Sequence, residues 1–74
     1  MKIGHWIKPF ESLHYHWKNT LTNDEIGIER FEGNLYYAYV KIYHQFFKKI
    51  RISKRPQTLK NVEVDAINYM KRNP

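Results

Sequence analysis

Seventy-four residues carrying a formal charge of +6 make one small domain with a modest core. The absence of cysteine excludes a disulfide framework and any thiolate zinc site, and fits an intracellular protein. No run approaches the ~18 apolar residues of a membrane span, and the opening Met1–Lys8 is too short and polar for a secretory signal.

The first 22 residues read as an N-terminal extension packing on a domain over 23–74. Within the extension, Pro9 suits a first helical position, and Phe10, Leu13 and Trp17 follow at helical spacing, so a short helix over 9–18 is expected. Asn19-Thr20 and Thr22-Asn23-Asp24 then signal turns.

From Glu25 to Phe31 the chain alternates, with Ile26 and Ile28 on one side, which is a half-buried strand. Gly33 in the Glu32-Gly33-Asn34 turn accepts a positive φ at little steric cost. A three-residue loop there sets Ile28 against Ala38, Ile26 against Val40 and Glu25 against Lys41, joining like with like and charge with countercharge.

Asn34 to Tyr43 is the second strand, rich in β-branched and aromatic residues. Period-two geometry gives it a core face of Tyr36, Ala38, Val40 and Ile42 and an opposite face of Leu35, Tyr37, Tyr39, Lys41 and Tyr43. A loop of His44 to Phe46 returns the chain so that Val40 faces Ile50 and Ala38 faces Ile52, while Tyr43 meets Phe47, Lys41 meets Lys49 and Tyr39 meets Arg51. The Lys41–Lys49 pair is a like-charge contact that costs stability unless a polyanion covers it.

Pro56 cannot donate to a ladder and ends the third strand. A helix follows, capped by Thr58 or Asn61, with an apolar stripe of Leu59, Val62, Ala66, Ile67, Tyr69 and Met70. The expected fold class is therefore α+β: a three-stranded antiparallel sheet packed against one C-terminal helix.

Charge distribution bears on function more than net charge does. Lys41, Lys48, Lys49, Arg51, Lys54, Arg55 and Lys60 form a block without an intervening acid, whereas Asp24, Glu25, Glu29 and Glu32 cluster elsewhere. Such a block attracts polyanions, of which nucleic acid is the commonest in a cell, although a solvated basic surface has the same composition.

Gly27-Ile28-Glu29-Arg30-Phe31, Gly33 to Val40 and Val64 to Tyr69 together resemble the AP2-type DNA-binding domains of plants and phage homing endonucleases, and the arm-binding domains of tyrosine recombinases. The shared pattern is aromatic-x-Ala-x-aliphatic on the second strand, here Tyr36-Tyr37-Ala38-Tyr39-Val40, and a small residue followed by Tyr on the helix, here Ala66 and Tyr69. The resemblance spans residues 25–72 and implies a non-enzymatic DNA-binding protein of phage or mobile-element type, with the sheet laid on duplex DNA. Carried over by position, the contact face begins with Glu29 and Phe31 on the first strand, but plant members offer arginines there, which shifts contact to the second and third strands. The implied interface is Tyr37, Tyr39, Lys41, Phe47, Lys49 and Arg51, with Lys54 and Arg55 on phosphates.

Two alternatives stand beside this. The N-terminal extension, with Trp6, Phe10, Leu13 and Trp17 to bury, is able to cover the aromatic face as a second core. The same face also suits a protein-binding inhibitor that docks on a host enzyme, since Tyr and Trp dominate such interfaces. His5, His14, His16 and His44 lack the partners and spacing of a metal site, and no nucleophile or acid pair sits in a recognisable motif, so no metal, cofactor or catalysis is expected.

Overall fold

The computed structural model describes residues 3–8 and 16–74. Five antiparallel strands run as a meander in the order β1 (Trp6–Ile7), β2 (His16–Asn19), β3 (Glu25–Glu32), β4 (Leu35–Ile42) and β5 (Lys48–Arg51). Among the described residues one α-helix, α1 (Leu59–Arg72), follows and packs on one face.

The α+β class stands, but the three-stranded sheet does not: the N-terminal segment contributes two strands beside β3. Of the helix expected over 9–18, residues 9–15 lie outside the described residues, and His16–Asn19 is strand. The reason lies in Trp17. It sits opposite Ile26 and is 3% exposed, so its burial comes from the sheet's period of two, not from a helical stripe.

Both hairpin registers follow the apolar pattern. Ile28 pairs with Ala38, Ile26 with Val40 and Glu25 with Lys41. The turn itself is tighter than expected: Glu32 pairs with Leu35 across Gly33-Asn34, and an irregularity between Arg30 and Glu32 takes up the extra residue. Gly33 has φ +55°, as its place in the turn requires. Across the next turn, Tyr39 pairs with Arg51, Val40 with Ile50 and Lys41 with Lys49.

The chain leaves the ladder after Arg51 and returns at Gln57, whose N–H and carbonyl both bond Tyr36, at 2.8 and 2.6 Å. Buried Ser53 accepts the Ala38 N–H at 2.9 Å on the way. This short detour carries the backbone past Pro56 into α1, for which Thr58 is the N-cap residue, without a side-chain capping bond.

Val62, Ala66 and Met70 are fully buried over Trp6, Trp17, Ile26, Ala38, Val40 and Ile42. Ile50, expected in this core, is 42% exposed, because β5 is the outer strand and lies beyond the helix's reach. The segment around β1 meets the end of the helix: the Trp6 indole N–H donates to the Asn73 carbonyl at 2.7 Å, and the His5 N–H to the Pro74 carbonyl at 3.0 Å. Both described tryptophans thus serve the helix-side core, leaving the opposite face of β3, β4 and β5 uncovered by β1 and β2.

Candidate nucleic-acid interface

Strand alternation and register place side chains on the helix-free face in two cross-strand rows. His16, Gly27, Tyr39 and Arg51 form one, and Lys18, Glu25, Lys41 and Lys49 the next. Tyr37 stands opposite Glu29 beside them. Of the expected interface residues, the fold brings Tyr37, Tyr39, Lys41, Lys49 and Arg51 together.

Their contacts are specific. The Arg51 guanidinium lies 4.4 Å from the Tyr37 ring centroid, and Lys49 Nζ lies 4.4 Å from that of Tyr39. Lys41 Nζ also approaches this pair, 5.8 Å from the Tyr39 centroid. Cation–π attraction of this kind favours the cations over the rings. Tyr37, Tyr39, Lys49 and Arg51 line a shallow depression of about 230 Å³.

Glu29 sits inside this cluster, on the contact face where position places it, although its acidity sets it apart from the residues expected to touch DNA. Its Oε1 accepts from Lys49 Nζ at 2.8 Å and its Oε2 from the Tyr37 hydroxyl at 2.6 Å. The bond from Lys49, then that from Tyr37, holds the Glu29 carboxyl below the usual carboxylate range. Lys49 is pushed up by the same bond. Glu29 therefore relieves the Lys41–Lys49 repulsion that the sequence leaves to a polyanion. The acid cluster at Asp24–Glu32 was the available signal, since Glu29 shares the open face with Tyr37 by register.

Tyr39 owes its position to Gly27. A Cβ at Gly27 would stand 2.6 Å from Tyr39 Cζ, so glycine lets the ring lie across β3. Burial there pushes the Tyr39 phenol up from its ordinary value, with the Glu29 charge adding to it. At the edge of the face, His16 Nε2 and Glu25 Oε1 are 3.1 Å apart.

The remaining expected residues lie apart from this cluster. Phe47 closes the β4–β5 turn against Tyr43, with ring centroids 5.2 Å apart. Lys54 and Arg55 line a groove of about 480 Å³ beside α1, with Gln57, Asp65, Asn68 and Arg72. Gln57 Nε2 donates to Asp65 Oδ2 there at 3.0 Å. No group of three or more His, Asp or Glu suited to a metal occurs among the described residues. No described helix is long and apolar enough to cross a membrane.

No family model, no curated protein and no solved structure matches the chain.

Proposed function

We propose that this is an intracellular, non-enzymatic DNA-binding protein that lays the helix-free face of its sheet on a duplex. The observation that carries the reading is the Tyr37, Tyr39, Lys41, Lys49 and Arg51 cluster, with cations held over aromatic rings on a face that β1, β2 and α1 leave open. Cations meet phosphates and position the protein; aromatic rings pack on sugars and bases. The resemblance to AP2-type domains assigns the same face, on the strands corresponding to β3, β4 and β5.

The testing experiment is a titration of isotope-labelled protein with mixed-sequence duplex at low salt, followed residue by residue by NMR. Backbone contacts are strongest under those conditions. Shifts concentrated at Tyr37, Tyr39, Lys41, Lys49 and Arg51 support the reading, and no detectable binding overturns it.

A second reading is favoured by Glu29, whose carboxylate would face phosphates unfavourably. A mixed-charge, tyrosine-rich patch also suits a protein partner, as in an inhibitor docked on a host enzyme. One stoichiometric partner from a host lysate, together with no DNA shift, would select it.

A further inference from the structure

The β4–β5 turn closes its hairpin through left-handed residues, a common device, but fills those positions with two phenylalanines. Tyr43–Gln45 form a single 3-10 turn, after which Phe46 and Phe47 have φ of 59° and 58°. That left-handed region crowds Cβ against the following carbonyl, and an aromatic residue there is strained where glycine or asparagine is at ease.

The turn is nonetheless firmly built. Asp24 Oδ1 accepts the Tyr43 N–H at 2.8 Å, the Phe46 N–H donates to the Tyr43 carbonyl at 3.1 Å, and Phe47 meets Tyr43 edge-on. These contacts occupy Tyr43 and Phe47 and leave Phe46 97% exposed at the hairpin tip. A large apolar ring is thus presented to water from a fixed backbone at a conformational cost.

Charge says what would cover it. Lys48 and Lys49 follow within three residues, and no acid occurs from Lys41 to Lys60. Asp24 caps the base of the turn and Glu29 holds Lys49, but Lys48 stands beside the tip, and stacked bases between phosphates offer flat apolar faces together with the negative charge that suits it. Resting on the DNA-binding reading above, we propose that Phe46 is a wedge that inserts between adjacent bases while the sheet face holds the flanking backbone. Apolar side chains inserted in this way unstack a step and kink the duplex.

The test compares two synthetic duplexes of one sequence, one of them carrying a single extrahelical adenine, where unstacking is already paid for. Wild-type protein is expected to bind the bulged duplex about tenfold more tightly. Phe46→Ala should bind the two equally. Phe46→Gly should lose the preference too, yet melt at a higher temperature than wild type, because it releases the strained φ. Phe46→Trp should keep the preference and show indole quenching on binding, against the buried Trp6 and Trp17. If Phe46→Ala keeps the preference, or wild type binds both duplexes alike, the wedge is overturned and the sheet-face reading stands. If wild type binds neither duplex at low salt, both fail.

Discussion

Tyr39 lies across Gly27 on the neighbouring strand, its ring occupying the space where a Cβ would come within 2.6 Å of Cζ. Gly27 is buried without a positive φ, so alanine is conformationally acceptable there and its effect must come through the ring. Gly27→Ala should fold, swing Tyr39 outward and bring its phenol pKa down toward the ordinary value as burial is lost. Site-resolved NMR titration of the tyrosine ring carbons measures this. An unchanged Tyr39 titration would mean that the ring is not held by this contact.

Glu29 supplies a pH-dependent contribution whose sign is fixed. Its folded pKa is depressed, by Lys49 first and Tyr37 second, so its stabilisation is present above the ordinary glutamate range and is lost as pH falls through the lower folded value. Glu29 and Lys49 side chains are each 41% exposed, so water screens the pair and Glu29→Gln should cost less than about 1 kcal/mol at neutral pH. The stability gap between wild type and Glu29→Gln should close in acid. The same variant should bind duplex DNA more tightly, since a charge facing phosphates is removed and Lys49 is released. Tighter binding with a pH-independent stability gap would contradict the assigned pKa depression and leave the interface intact.

Lys49→Ala combined with Arg51→Ala separates binding from folding. Both side chains stand on the outer strand and are exposed, and neither belongs to the buried cluster. The double variant should melt close to wild type, bind duplex more weakly, and show a slope of log affinity against log salt shallower by about 2. An unfolded double variant would assign the pair to structure.

Legibility in the sequence followed the length of each pattern. β3 and β4 are eight residues each, so period-two alternation set their register from Glu25–Lys41 to Arg30–Tyr36, while the irregularity before Gly33 escaped the pattern. α1 likewise showed a stripe over several turns, and its buried Val62, Ala66 and Met70 belong to it. β1 and β2 have two and four residues, too few to separate the two periods, and Trp17 satisfies either. Their pairing also depends on contacts of long sequence separation, such as Trp6 with Asn73, that no local pattern announces. At the site, alternation gathered five of the expected residues, while the exit from β5 carried Lys54 and Arg55 to a groove beside the helix.

Register alone treats Val40 and Ile50 as equivalent core partners, and burial separates them. Val40 is 2% exposed beneath α1, whereas Ile50 is 42% exposed. Val40→Ala should therefore destabilise by ~1–3 kcal/mol through lost burial and a partial cavity. Ile50→Ala should cost less than about 1 kcal/mol, as surface substitutions do. Chemical denaturation of the two variants checks this, and equal losses would place the helix's edge over β5.

Asn19 ties the β2–β3 turn to Pro74 through its side chain. It is 2% exposed, and its Oδ1 accepts the Leu21 and Thr22 N–H groups at 2.8 and 3.0 Å. Its Nδ2 donates to the Pro74 carbonyl at 3.3 Å, beside the Trp6 indole bond to Asn73. Asn19→Ala strands two turn N–H groups and loosens the C-terminus together, and leaving such groups unpaired costs ~1–3 kcal/mol. Asn19→Asp keeps the oxygen that accepts both turn N–H groups but removes the donor and buries a charge, so it should remain destabilised at neutral pH and recover in acid as the carboxyl is protonated. Thermal melts of both variants across pH decide the matter. An Asp variant as stable as wild type at neutral pH would show that the bond to Pro74 contributes nothing and that the turn alone fixes this corner.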